Sequence, residues 1–220
     1  MAVLAAAPDW TQATLWFVAL IISLTVHEAA HAWFALLGGD RTAYRLGQVT
    51  LNPLPHMQRE PFGMVVFPLL TLFMTGGQQC FGFASTPIDP VWAYHHPRKA
   101  ALMSAAGPLA NLVLAALAFA VLAYINNPQS GEGEAVRRIA SVFLMLNLLL
   151  AVFNVMPLPP LDGAGVVAGV IPSTRRLYDA LARVPYMGIL VLILMIKVVP
   201  IMFWPVFHTV NHWLPFPIGR

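Results

Sequence analysis

The chain has 220 residues, of which 59% are hydrophobic and 10% charged, with a net charge of +3. A soluble domain carries about 25% charged residues. The composition therefore excludes an ordinary soluble globule, and the length leaves no room for a normal soluble domain beside a membrane bundle. Lys and Arg occur singly or in pairs between apolar stretches, so no basic run is present to track a nucleic acid. One cysteine, Cys80, rules out an internal disulfide. No Lys or Arg precedes Arg41, so the N-terminus lacks the charged region of a secretory signal, and the first apolar stretch is expected to stay as a helix.

In chain order, apolar stretches suited to span a membrane run over Thr14–Leu37, Ala100–Ile125, Ile139–Met156 and Tyr186–Trp213; a span needs roughly 20 such residues. The last contains Lys197, Pro200 and Pro205, which predict a kink and a snorkelling lysine, with Trp204 and Trp213 at an interface. A fifth stretch, Phe62–Gly77, is shorter, carries Pro68 and ends in a glycine pair, as a re-entrant or partly buried segment does. The flanking Ala43–His56 and Cys80–Pro90 are rich in Gly, Pro and β-formers and read as short strands and turns at the membrane surface. Asn126–Arg138 reads as a loop, and Pro172–Pro185 as a short basic amphipathic piece. The expected fold is an all-α polytopic membrane bundle with a re-entrant segment and a short β-strand region, forming one domain over residues 1–220. Charge counts on the two sides give no orientation.

Within the first stretch stands "SLTVHEAAHAWFALLGG" (Ser23–Gly39). An ionisable side chain at the centre of a membrane helix costs roughly 2.5–3.5 kcal/mol even on lenient scales. His27 and His31, four residues apart, share one helix face and suit a single zinc ion. Glu28 points about 100° around the same helix, where it serves as general base toward the water that a metal activates. Unpaired polar groups are rarely tolerated within a membrane helix, which weighs against a chance match. "HTVNH" repeats the spacing at His208 and His212, but without a glutamate and beside Trp213; that pair reads as interfacial, as do His95 and His96 before Pro97.

Two histidines leave a catalytic zinc one protein ligand short. Of the acidic residues outside the motif (Asp9, Asp40, Glu60, Asp89, Glu132, Glu134, Asp162 and Asp179), Asp162 stands out by context. It follows Pro157, Pro159 and Pro160, which end an apolar helix and leave irregular backbone suited to a cavity wall. An ordinary loop aspartate past a helix end is the bland alternative. In the middle of the chain, Gly107 and Ala106 permit close helix approach. Asn111 is the only strongly polar residue between Ser104 and Tyr124, so it faces the bundle interior.

"HEAAH" (His27–His31), "AAGPLAN" (Ala105–Asn111) and "FNVMPLPPLDG" (Phe153–Gly163) together resemble the site-2 protease family of intramembrane zinc metalloproteases. The resemblance implies one Zn2+ held by His27, His31 and Asp162, with Glu28 as catalytic base. It gives Asn111 and Asn154 a part in holding the substrate or the oxyanion; an interhelical hydrogen bond is the structural alternative for each. It implies hydrolysis of peptide bonds in a transmembrane substrate, within the bilayer of a bacterial inner membrane. The site would lie nearer the cytosolic face, with the N-terminus outside. Small all-membrane members often carry an acidic residue soon after the histidine matching His56, whereas here Gln58 and Arg59 displace Glu60. His56 is thus either an accessory polar residue or part of a surface turn. No PDZ or nucleotide-sensing domain is recognisable.

A metal joining the C-terminal half of the first span to Asp162 requires the Thr14–Leu37 and Ile139–Met156 spans to run in the same direction. Phe62–Gly77 must then be re-entrant, or be paired with a return through Gln78–Pro97. The Ala43–Leu51 strand is expected to capture an unwound substrate by edge pairing. A divalent-metal transporter and a catalytically silent adaptor are the alternatives; the first has no need of Glu28 beside the metal.

Overall fold

Asp9 starts the first helix, α1 (Trp10–Gly38), by accepting the Gln12 N–H at 3.0 Å. The computed structural model describes residues 9–125 and 131–218, without the side chains of 188–190, 192 and 194–196. α1 stops at Gly39, which adopts φ +104°, a left-handed conformation that costs glycine nothing. The N–H groups of Gly39 and Asp40 turn back onto the carbonyls of Leu36 and Ala35 at 3.0 and 2.9 Å.

α1, α6 (Pro97–Tyr124) and α7 (Gly131–Asn154) are, among the described residues, the helices long and apolar enough to cross a membrane. Each packs on the other two. His27 meets Asn111 while His31 meets Met103, so α6 runs against α1. Asn147 meets both Ser23 and Asn111, and Leu122 of α6 clusters with Ala140 and Leu144, so α7 runs with α1. This is the direction a metal shared between α1 and Asp162 demands. Lipid gives no hydrophobic reward for helix association, so small residues that allow close packing matter. Ala19, Ala32 and Ala35 of α1 and Ala101, Ala106 and Ala115 of α6 are all buried. Trp33, Phe34, Leu109 and Leu117 lie exposed on the outside, as side chains facing hydrocarbon would. The fourth apolar stretch forms α10 (Met187–His212), which contains Pro200 and Pro205 and packs on α7 through Phe203 and Phe207.

Between α1 and α6 the chain makes an excursion. A π-helical turn (Phe62–Val66) leads into α4 (Phe67–Met74), after which irregular backbone doubles back. Phe81 N–H donates to Thr71 Oγ1 at 3.0 Å, Phe83 N–H to the Gly63 carbonyl at 3.1 Å, and Arg59 Nε to the Ser85 carbonyl at 3.2 Å. A Cβ on Gly63 would overlap the Phe83 carbonyl, so the return path depends on glycine there. The segment starts and returns at neighbouring points, with Arg59 beside Ser85 and Gly63 beside Phe83.

The expected β-strand region does not form: the described residues contain no strand. Where Ala43–His56 was expected to be extended, α2 (Thr42–Arg45) and α3 (Pro53–Arg59) form; Cys80–Pro90 stays irregular up to α5 (Pro90–His95). Capping explains the difference. Asn52 accepts the Leu54 N–H, and Asp89 accepts the Val91 N–H, each with proline at the first helical position. Asn-Pro and Asp-Pro here start helices rather than turns between strands. Edge pairing by Ala43–Leu51 falls with the strand. Of the loop expected over Asn126–Arg138, residues 126–130 lie outside the described ones, and Gly131–Arg138 are the first turns of α7. There Arg138 bonds Glu134 one turn back. After α7 come α8 (Asp162–Val170), a 3-10 turn (Pro172–Thr174) and α9 (Arg175–Ala182). Arg175 of α9 donates to the Ala93 and Tyr94 carbonyls of α5 at 2.7 and 2.8 Å.

Asp40, buried just past α1, ties that helix to the site-forming loop: its carboxylate accepts Thr42 N–H and Asp89 N–H, each at 2.8 Å. Burial opposes its charge, but hydrogen bonds from Thr42 and from the Asp89 backbone hold the carboxyl below its ordinary 3.8. A lowered pKa contributes stability that is full above the unfolded value and disappears as pH falls through the folded one. Asp40→Ala should therefore cost about 1–3 kcal/mol at neutral pH by leaving two N–H groups unpaired. In thermal unfolding of the detergent-solubilised protein, that gap should shrink as the pH drops below 3.8.

Candidate metal centre

His27, Glu28 and His31 are all buried, and they occupy one short stretch of α1 facing α6 and the start of α8. His31 Nδ1 donates to the Met103 carbonyl at 2.7 Å. His27 Nδ1 lies 2.6 Å from Asn111 Oδ1. The orientation of Asn111 follows from a chain of partners. Asn147 Nδ2 donates to the Phe143 carbonyl and to Ser23 Oγ, each at 2.9 Å. A carbonyl can only accept, so the amide nitrogen of Asn147 must face it, which leaves Asn147 Oδ1 to accept Asn111 Nδ2 at 2.8 Å. Asn111 Oδ1 then faces His27, so each imidazole carries a proton on Nδ1 and turns its Nε2 away from these partners.

Those two Nε2 atoms stand 3.0 Å apart. Asp162 brings its carboxylate to them, Oδ2 at 3.1 Å from His27 Nε2 and Oδ1 at 3.2 Å from His31 Nε2. Asp162 Oδ2 is buried without a hydrogen-bond donor. Two nitrogen donors and a carboxylate thus converge on one point, a donor set that suits a cation. His27, His31 and Asp162 are the group of possible metal ligands among the described residues, with donor atoms within 4.8 Å of one another. Space is reserved for them: a Cβ on Gly107 of α6 would overlap His31 Nε2 and lie 2.6 Å from His27 Nε2. Nitrogen and carboxylate donors in this set suit zinc. Asp162 is also the first residue of α8, where the helix dipole favours an anion.

Beside the donors lies a cavity of about 420 Å³, which Glu28, Thr86, Asn154, Asp162 and Tyr178 help to line. Asn154 anchors its amide on the Leu150 carbonyl at 3.0 Å and keeps a face to the cavity. Asn111 is fully buried and both ends of its amide are engaged on His27 and Asn147, away from the cavity lining. His56 is buried on α3 with Nε2 2.9 Å from the Thr50 carbonyl, closing its own loop outside the cavity lining. His208 stacks on Trp204 far along α10.

The family model described as Peptidase family M50 matches residues 15–132, more than half of the chain. The chain belongs to peptidase family M50. The site-2 protease resemblance carried by the three motifs holds, and the chain is an integral membrane metallopeptidase of a zinc-using family. A relative from Bacillus subtilis (strain 168), named "Putative zinc metalloprotease YwhC", is 37% identical over 165 residues, covering 72% of this chain and 70% of the relative. "Putative zinc metalloprotease Rip2" of Mycolicibacterium smegmatis is 31% identical over 178 residues, 80% of this chain and 64% of that protein. The Rip2 of Mycobacterium tuberculosis (strain H37Rv) is 31% identical over 196 residues, 88% and 70% of the two chains. No solved structure matches the chain. The M50 match ends before Asp162, whose carboxylate the fold brings to His27 and His31.

Two participants escaped the sequence reading. Asn147 was findable: it is the strongly polar residue at the centre of the third span, by the same reasoning that exposed Asn111. Thr86 carries no periodic or motif signal; only the doubled-back chain brings it to Glu28. Replacing Asn111 with Leu should lower zinc affinity about 10- to 100-fold, the usual cost of losing a partner that orients a ligand, as read by metal competition with a chelator. Gly107→Ala should abolish metal binding outright, measured as zinc per protein, while the far-UV circular dichroism keeps its helical signal.

Proposed function

We propose that the protein hydrolyses a peptide bond of a membrane-spanning substrate at a single zinc ion held by His27, His31 and Asp162, with Glu28 as the general base. The convergence of two imidazole Nε2 atoms and a carboxylate on one point, with Glu28 beside them on the cavity wall, carries this reading. Bound there, zinc supplies Lewis acidity, which lowers the pKa of water to about 7 and makes it a nucleophile at neutral pH.

Glu28 takes the proton that water loses as it attacks the scissile carbonyl and returns it to the departing amine. Asn154, on the cavity wall, donates to the substrate backbone or to the oxygen that gains charge. Asn111 acts one step back, fixing the His27 ring rather than meeting the substrate. His56 supports the site at a distance by holding the loop before α3. A helical substrate hides its carbonyls, so a stretch of it must unwind to reach the cavity. The bacterial relatives and the apolar outer faces support a place in a bacterial inner membrane, with Phe62–Met74 dipping in and out and α10 as a further span.

The test uses purified protein and a quenched-fluorescence peptide bearing a single apolar span. Glu28→Gln should keep its zinc and lose cleavage by about 10²- to 10⁴-fold, the usual contribution of a general base. Asp162→Ala should lose zinc and cleavage together. Cleavage by Glu28→Gln at the wild-type rate would remove the mechanism. Zinc flux through proteoliposomes, with no cleavage by either protein, would favour a transporter.

A further inference from the structure

Glu28 is buried, and a general base works only when its carboxylate is aimed. Among the described residues, one side chain is hydrogen-bonded to that carboxylate: Thr86, whose Oγ1 lies 2.7 Å from Glu28 Oε2. The same hydroxyl lies 2.9 Å from the main-chain carbonyl of Glu28. Thr86 belongs to no helix, yet its position is fixed on both sides. Before it, Phe83 N–H is held by Gly63, and Ser85 gives its carbonyl to Arg59 and its hydroxyl to Glu60 Oε2 at 3.2 Å. After it come Pro87, with its fixed φ, and Asp89, whose N–H is held by Asp40. The excursion through α4 and back thus delivers one hydroxyl to the candidate base.

We infer that Thr86 is a positioning residue for Glu28, which it serves with one proton shared between two acceptors. This inference rests on the proposed role of Glu28. The hydroxyl donates to Oε2 and holds the carboxylate against the cavity wall, leaving Oε1 to receive the proton from water. No covalent bond to Thr86 forms or breaks, and its oxygen is kept in place between Oε2 and the Glu28 main-chain carbonyl.

Thr86→Val keeps the shape and removes the hydroxyl; Thr86→Ser keeps the hydroxyl and removes the methyl group. Both are assayed with the quenched single-span peptide beside wild type and Glu28→Gln, with zinc content and thermal midpoint recorded for each. The expected result for Thr86→Val is a kcat lower by about 10- to 100-fold, the scale of a misaimed catalytic group, with KM and zinc content as in wild type. Thr86→Ser should recover most of the loss. Wild-type kcat in Thr86→Val overturns the inference, as does a rise in KM alone, loss of zinc, or a Thr86→Ser as impaired as Thr86→Val. If Glu28→Gln cleaves as wild type does, the role of Glu28 fails and takes this inference with it. If Glu28→Gln is dead and Thr86→Val is fully active, only the positioning role fails.

Discussion

Two buried imidazoles must each turn Nε2 to the same point, and a ring is held that way only when a partner takes its Nδ1. That requirement organises the bundle. For His31 a main-chain carbonyl of α6 suffices. For His27 the instruction starts at a carbonyl in α7 and passes through two carboxamides, each oriented by the one before. Polar groups buried this deeply are costly when unpaired, so the ladder from Ser23 through Asn147 and Asn111 also pins α1, α6 and α7 in one register. Stability and ligand tautomer have the same source.

α6 is the pivot of this arrangement. Its central turns supply the Met103 carbonyl, the space above Gly107 and the amide of Asn111 in little more than two turns of helix. Running against its neighbours, it lets the C-terminal half of α1 and the end of α7 meet, which is where Asp162 emerges. The α4 excursion completes the surroundings from the other side, bringing Thr86 to Glu28. A membrane helix normally hides its polar groups from the outside; here the inside is polar and the outer faces carry Trp33, Phe34 and Leu117.

The candidate site was legible in the sequence because its polar residues cost so much in lipid. His27, Glu28, His31 and Asn111 stand out against apolar neighbours, and three prolines mark the break between α7 and Asp162. The crossing directions followed from joining those residues. The surface segments were misread because Gly, Pro and β-formers describe extended chain and capped short helices about equally well. Asn52 and Asp89, each before a proline, decide between them through a side-chain hydrogen bond that composition does not reveal. Thr86 was invisible for a different reason. Its meeting with Glu28 spans 58 positions and depends on the return path past Gly63, with no local pattern to announce it.

The ladder has a consequence for how such a protein is made. The first donors leave the ribosome long before Asp162, and the group that sets the His27 tautomer arrives only with the third span. A chain inserted only as far as its second span therefore holds His27 and His31 without the Asn147 that orients Asn111 and without the Asp162 carboxylate. These side chains meet only when the bundle has closed.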